Sequence, residues 1–201
     1  MPSTSQRSSQ VIERYGSGAD FLKTFNPAMQ YRYCADVGRC FTGHAPSLGL
    51  LKQAYGGHIA ESWLEIQLCD LSEFSGCKDK LSLQQIEDTA KVIIAEFDYL
   101  KVSELMLFFV QFKAGRYGRF YGAVDGLVIT QALQEFCAYR RDVLERHRRQ
   151  QEKEAREKQR ALWAQDSMSF DEWQEISWLF NLGYEPWRIK AELEQQRKQN
   201  K

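Results

Sequence analysis

The sequence lacks any long apolar segment. Its longest uninterrupted apolar run, 105–110, has six residues, whereas a helix that spans a membrane needs about 20. The N-terminus also lacks the apolar stretch of a secretory signal peptide. The five cysteines form an odd set without a tight framework, which is typical of reduced thiols rather than of a disulfide-bonded secreted protein. These absences predict a soluble, cytoplasmic protein.

Familiar catalytic signatures are missing as well. The chain has no phosphate loop ending in Gly-Lys-Ser/Thr, no His-Glu-x-x-His motif and no nucleophile elbow. Cys34, Cys40, His44 and His58 are potential zinc ligands, but five residues separate the cysteines and thirteen separate the histidines, which matches no compact zinc motif. The sequence therefore predicts a protein that is not an enzyme and that holds no metal and no cofactor.

Net charge is zero over the whole chain, which argues against a bulk polyelectrolyte binder. The charges are unevenly placed, however. Residues 61–104 hold ten acidic and four basic residues, whereas residues 113–160 hold twelve basic and seven acidic ones. Such an asymmetry predicts a basic face and, with it, an anionic partner.

Apolar side chains recur at spacings of three and four residues through much of the chain, and no alternating pattern exceeds four residues. This periodicity predicts helices rather than strands. Aromatic residues make up 13% of the chain, and they bury much area per residue. Because the run 105–110 is apolar nearly all round, we expect its helix to be central and buried. The predicted fold is mainly α.

Local signals mark where some helices begin. Ser82 and Gln85 form a capping box, in which each side chain bonds the backbone of the other, so a helix should follow Ser82. Ser103 is the predicted N-cap of the buried helix, over residues 104–114. A second capping box at 169–172 predicts a helix near the C-terminus.

These signals divide the chain into four predicted segments. The first 40 residues, rich in Ser, Gln and Gly and then broken by Pro and Gly, predict a flexible, irregular arm. A helical core should follow, then a charged helical extension where the apolar face is lost, and finally a helical hairpin. The predicted boundaries are 1–40, 41–145, 146–168 and 169–201.

The stretch Lys113–Gly122 combines three glycines, three basic residues and three aromatic residues in ten positions. In a functional interpretation, basic side chains contact phosphates while aromatic rings stack on bases. The alternative is a glycine-rich turn whose aromatic rings fill the core between two helices. The candidate nucleic-acid-binding residues here are Lys113, Arg116, Tyr117, Arg119 and Tyr121.

The helix predicted after this stretch adds a second group of candidates for nucleic-acid binding. Its basic residues cluster near the end of the core and interleave with acidic ones. A basic helix would extend a phosphate-binding surface, whereas interleaved charges are also typical of a solvated, ion-paired linker. The clustered residues are Arg140, Arg141, Arg146, Arg148 and Arg149.

The predicted C-terminal hairpin carries the tryptophans Trp173, Trp178 and Trp187. A helix–turn–helix that reads DNA would have a similar layout, but acidic residues 192 and 194 lie on the helix that would enter the groove. We therefore favour docking of the tryptophans onto a protein partner.

Three stretches, 78–82, 99–109 and 112–125, resemble a family of small uncharacterised helical proteins of Bacteroidetes, often encoded on mobile or prophage-like elements. The resemblance covers roughly residues 41–141, and that family has no established activity. In architecture, the order of helix, Gly-Tyr loop, helix and charged extension is also similar to phage replisome organisers and helicase loaders. That similarity implies DNA and a replicative helicase as partners.

Two hypotheses follow. In the first, the chain is a non-enzymatic accessory protein of DNA replication or mobile-element maintenance that binds nucleic acid through the Gly/Arg/Tyr loop and the basic helix. In the second, it is a protein-interaction adaptor that uses the charged helix and the Trp-rich hairpin and does not contact nucleic acid. Salt dependence of binding separates the two, because phosphate contacts weaken steeply with salt.

Overall fold

The computed structural model describes residues 4–166, 170–183 and 185. Over these ranges the chain forms nine α-helices and one 3₁₀ helix and has no strand, so the predicted mainly α fold is confirmed. The chain divides into two units, 1–147 and 148–201, and each is described by itself. Within the described ranges, no helix is both long and apolar enough to cross a membrane.

The N-terminal segment differs from its prediction. Instead of an irregular, flexible arm, its described part forms four short helices, of which the last three have side-chain N-caps. Ser17 and Asp20 form a capping box, the Asn26 side chain accepts the Ala28 N–H, and Asp36 accepts the Arg39 N–H. The helices are α1 (Thr4–Tyr15), α2 (Gly18–Thr24), the 3₁₀ helix (Pro27–Cys34) and α3 (Val37–Thr42).

Tertiary contacts explain why this segment is ordered. The carbonyl of Phe25 accepts hydrogen bonds from the Trp63 indole at 2.8 Å and from the Gln67 amide at 2.9 Å. Both donors are fully buried, and the rings of Phe21 and Phe25 lie in the core. The segment therefore supplies part of the core rather than covering it.

Four helices follow: α4 (Leu48–Tyr55), α5 (Gly57–Phe74), α6 (Leu83–Glu96) and α7 (Val102–Lys113). Helix α6 begins as predicted, since Ser82 and Gln85 bond each other's backbone. Helix α7 begins earlier than predicted, with Lys101 as its N-cap, because the Glu104 carboxylate accepts the Lys101 N–H at 2.9 Å. The Ser103 hydroxyl instead donates to the Cys40 carbonyl at 2.8 Å.

Helix α7 is the centre of the first unit. Ten of its twelve residues are buried, which confirms the prediction from its all-round apolar sequence. The 3₁₀ helix, α3 and α5 pack against it. Helix α8 (Gly126–Asp166) contributes Phe136, whose ring centroid lies 5.6 Å from that of Phe108.

The second unit begins within α8. Residues 148–164 are exposed throughout. Oppositely charged residues one turn apart form ion pairs along this surface, such as Lys153 with Glu157 at 3.9 Å. Helix α9 (Phe170–Asn181) follows. The second helix of the predicted hairpin, with Pro186 and Trp187, lies outside the described residues.

Candidate nucleic-acid interface

The loop of residues 114–123 joins α7 to α8, and its path depends on glycine. Gly115, Gly118 and Gly122 have φ angles of 80°, 87° and 80°, a left-handed region that other residues seldom adopt. A Cβ at any of the three would meet nothing within 4 Å. The glycines are therefore needed for the backbone turns and not for close packing.

Backbone hydrogen bonds hold both ends of this loop. The N–H of Arg116 bonds the Gln111 carbonyl at 3.0 Å, which ties the loop to the end of α7. The N–H of Val124 bonds the Asp79 carbonyl at 2.9 Å, which ties the other end to the connection between α5 and α6. The loop is thus a fixed surface feature of the first unit.

Two of the loop's aromatic residues pack onto the core. The Tyr117 ring lies 5.5 Å from that of Phe108, and its hydroxyl donates to Gln111 at 2.7 Å. Burial raises the pKa of Tyr117 to about 12, so the phenol stays protonated. Phe120 stacks on Phe112 at 5.1 Å and 24°. Tyr117 therefore agrees with the alternative in which the loop's rings fill the core, and not with stacking on bases.

Tyr121 is placed differently. Its side chain is 87% exposed, although the neighbouring Phe120 packs inward. Exposing a large ring on an anchored loop forgoes the burial that normally stabilises aromatic residues. Tyr121 therefore remains available for stacking.

The three cationic residues of the loop region also differ in their exposure. The Lys113 side chain is only 5% exposed; its ammonium pairs with Asp70 and donates to Gln30 at 2.9 Å. Lys113 is thus bound within the protein, so in this structure its charge meets Asp70 rather than a phosphate. Arg116 and Arg119 are exposed. The Arg116 guanidinium lies 4.0 Å from the centroid of the Tyr139 ring, which orients it without neutralising it.

A groove of about 180 Å³ opens beside the loop. Phe74, at the end of α5, lines one side and is 54% exposed, while Phe120 and Arg119 line the loop side. The sequence pattern gave no reason to select Phe74, because it lies at a helix end far from the Gly/Arg/Tyr motif. We define the loop surface as Phe74, Arg116, Arg119, Phe120 and Tyr121.

Of the basic cluster on α8, Arg140 serves the fold. Its Nε donates to the Glu104 carboxylate at 2.8 Å, and Glu104 is fully buried. The guanidinium also lies 5.5 Å from the Tyr99 ring. Burial raises the pKa of the Glu104 carboxyl, although bonds from Lys101 and Arg140 oppose the shift. Arg140 therefore compensates the charge of a buried acid, so in this structure its guanidinium meets Glu104 rather than a phosphate.

The other arginines of the cluster lie on the surface. Arg141 and Arg146 are exposed in the first unit, and the Arg146 Nε donates to the Asp142 carbonyl at 3.2 Å. Arg148 and Arg149 are exposed in the second unit, where Arg148 faces Glu152 at 4.0 Å. This part of the helix fits both a phosphate-binding helix and an ion-paired linker.

The tryptophans predicted to dock a partner are exposed where the structure describes them. Trp173 and Trp178 on α9 are 56% and 63% exposed. Trp173 stacks on Phe170 with ring centroids 6.0 Å apart. Trp187 lies outside the described residues.

The potential zinc ligands do not form a metal centre. Across the described ranges, no group of three or more His, Cys, Asp or Glu side chains is placed to hold a metal ion. Cys40 is buried while Cys34 is exposed, and both are free thiols.

Comparison with known proteins identifies one similarity. Residues 80–177 match a family of unknown function, DUF6633. The match begins before α6, includes all of α6, α7, the loop and α8, and ends within α9. No curated protein and no solved structure matches the chain.

Proposed function

We propose that the chain binds single-stranded DNA, without base-sequence preference, through the loop surface. The observation that carries the proposal is Tyr121, an 87% exposed ring two residues from exposed Arg119 on a loop anchored at both ends. An aromatic ring beside a cation is the usual means of binding single strands, because every base offers a face to stack on.

The geometry supports a strand rather than a duplex. Phe74 and Phe120 flank the groove together with Arg119, so an unpaired base would meet aromatic side chains while its phosphate meets a guanidinium. Bases in a duplex are already stacked on one another and leave no free face for Tyr121. The proposed contacts join arginines to phosphates and aromatic rings to the faces of bases, and none involves a base edge. We therefore expect no sequence preference.

The wider role that we propose is a non-enzymatic accessory of DNA replication or mobile-element maintenance. Its support is the architectural similarity to replisome organisers and helicase loaders together with the loop surface. Arg141 and Arg146, exposed on α8, would extend the contact along the strand.

Fluorescence anisotropy with labelled oligothymidylate and a labelled duplex, at low and moderate salt, tests the proposal. Two phosphate contacts, from Arg116 and Arg119, give an expected slope of about −1.4 for log affinity against log salt on a single strand. The double variant Arg116→Glu/Arg119→Glu should abolish binding at moderate salt. The matched control, Lys23→Glu/Lys91→Glu, changes the net charge equally at exposed positions of α2 and α6 and should bind nearly as the wild type. Equal losses in both variants would refute a local site.

A second candidate function, a protein-interaction adaptor, is favoured by the exposed tryptophans of the second unit. Trp163, Trp173 and Trp178 are 64%, 56% and 63% exposed, and aromatic residues are common anchors at protein interfaces. Binding of a replicative helicase through them would be nearly insensitive to salt. It would be lost in Trp173→Ala/Trp178→Ala and kept in Arg116→Glu/Arg119→Glu.

A further inference from the structure

A cavity of about 470 Å³ lies among α1, the 3₁₀ helix, α3 and the first turn of α7. It shares no lining residue with the groove beside the loop. Its volume falls within the roughly 300–1,000 Å³ that is usual for small-molecule sites. The lining residues that matter for its chemistry are Arg14, Tyr15, Phe25, Arg32, Tyr33 and Arg39.

Three arginines from three different helices converge on this cavity. Arg14 is in the last turn of α1, Arg32 in the last turn of the 3₁₀ helix and Arg39 in the last turn of α3. Each is exposed, and within the described part of the chain none forms an ion pair. A cation near a helix C-terminus stabilises that helix modestly, but this role does not require the three to meet at one cavity.

The acidic side chain in the lining does not neutralise them. Asp36 Oδ1 accepts the Arg39 N–H at 2.9 Å, as the N-cap of α3. Three arginines against one aspartate leave a formal surplus of two positive charges, with His44 also at the wall. Guanidinium groups bind phosphate with paired, charge-assisted hydrogen bonds, so the cavity suits a phosphate group.

The rest of the lining is aromatic. Tyr15 and Tyr33 are half-buried, which gives a flat apolar moiety two rings to pack on. Phe25 is only 3% exposed and supports Tyr15 from the core, with 5.3 Å between the two ring centroids. Burial raises the pKa of Tyr33 to about 12, so its phenol stays protonated. The Cys40 thiol bonds the Tyr33 carbonyl at 3.2 Å, and burial raises its pKa to about 11. It therefore stays protonated at neutral pH.

We propose that this cavity binds a nucleotide, with the phosphates on Arg14, Arg32 and Arg39 and the base against the aromatic lining. The nucleotide is either a free mononucleotide or the phosphorylated end of a DNA strand, which present the same groups. The site is separate from the loop surface and does not depend on the function proposed for it.

Isothermal titration of the full chain with ATP, AMP and inorganic pyrophosphate tests the site. We expect ATP to bind, and each of Arg14→Ala, Arg32→Ala and Arg39→Ala to weaken it about tenfold or more, because each removes hydrogen bonds to a charged group. Lys23→Ala, at an exposed cation outside the lining, is the control and should bind ATP as the wild type. All four positions are exposed, and circular dichroism checks that each variant folds.

Three results would overturn the proposal: no binding of any of the probes to the wild type, arginine variants that bind ATP as the wild type, or pyrophosphate binding as tightly as ATP. Equal affinities for pyrophosphate and ATP would mean that the base of ATP makes no contact with the aromatic lining.

Competition between ATP and a 5′-phosphorylated oligothymidylate identifies the source of the nucleotide. Displacement of ATP by this strand, but not by the same strand with a 5′-hydroxyl, supports a strand end, whereas no displacement by either strand supports a free nucleotide. Arg116→Glu/Arg119→Glu should bind ATP normally, so failure of the loop surface and failure of this cavity are distinguishable.

Discussion

Helix α7 and the loop of residues 114–123 both combine aromatic with basic side chains, and they lie next to each other in the sequence. In and around α7 the cations are bound by the protein itself: Lys101 donates to two carbonyls at 2.7 Å, and Lys113 pairs with Asp70. In the loop, Arg119 and Tyr121 face solvent. Both regions contain aromatic rings and cations, and burial separates the roles of those cations.

This difference shows which basic residues are available to bind a partner. A buried cation must have compensating bonds, because removing a charge from water costs several kcal/mol. Arg140 and Lys113 have such bonds and are therefore parts of the fold. An exposed cation on an anchored loop needs none and can meet a phosphate.

The largest effect is expected at the buried acid of α7. Glu104→Ala would leave Arg140 without its carboxylate and the Lys101 N–H without its acceptor, so we expect a loss of about 3 kcal/mol in the free energy of unfolding. Urea denaturation measures it. Glu87→Ala, which breaks an exposed pair with Lys91, is the matched control and should cost about 0.5 kcal/mol or less. Similar losses of stability in both variants would contradict the division between buried and exposed charges.

The next effect compares two tyrosines of the loop. Tyr117→Ala removes a ring packed on Phe108 and Phe112, and we expect a loss of about 2 kcal/mol in stability. Tyr121→Ala should change stability by less than about 0.5 kcal/mol. It should weaken binding of a single-stranded oligonucleotide by about 1 kcal/mol through lost stacking. Thermal melting and anisotropy together separate these outcomes, and a Tyr121→Ala variant with unchanged affinity would remove the main support for the loop surface.

A smaller effect is expected from the loop backbone. Gly118 has a φ of 87° and open space where a Cβ would stand, so Gly118→Ala should cost about 1 kcal/mol through backbone conformation alone. Gly38, within α3, has no such φ, and its Cβ would meet Asp36 at an ordinary 3.6 Å. Gly38→Ala should be neutral or stabilising by up to about 1 kcal/mol. Chemical denaturation of both variants measures this contrast in the free energy of unfolding. A Gly38→Ala variant that loses as much stability as Gly118→Ala would contradict it.

The smallest effect is the pH dependence of Glu104. Burial raises the pKa of this carboxyl above its ordinary 4.5, so the folded protein binds the proton more tightly than the unfolded chain does. Its protonation therefore stabilises the fold at low pH, and this contribution is lost as pH rises from about 4.5 through the raised pKa. We expect the stability of the wild type relative to Glu104→Gln to fall over that window and then level off. A relative stability that rises with pH would mean that Arg140 outweighs the effect of burial.

Much of the fold could be predicted from local pattern. The start of α6 follows from a capping box of two residues, Ser82 and Gln85, and the burial of α7 follows from its apolar sequence on every side. The exposed helix after residue 147 follows from its charges. These features depend on neighbours three or four residues away, which the sequence shows directly.

The predictions that failed involve partners far apart in the chain. The N-terminal segment looked irregular because its order depends on Trp63 and Gln67, which bond Phe25 from about 40 positions away. Ser103 does not cap α7: Lys101 is the N-cap, and the Ser103 hydroxyl donates to the Cys40 carbonyl 63 positions away. No local pattern contains the contacts with Trp63, Gln67 and Cys40.

The amino-acid pattern is sufficient to predict a mainly helical chain, its central apolar helix and an unusual glycine-, arginine- and tyrosine-rich loop. Which cations remain available to a partner depends on the packing of separate helices. This packing placed Asp70 beside Lys113 and Glu104 beside Arg140, left Arg119 and Tyr121 in solvent, and gathered Arg14, Arg32 and Arg39 around one cavity. The physical reason is that charge compensation and burial act through space between separate helices, whereas periodicity and capping act along one helix.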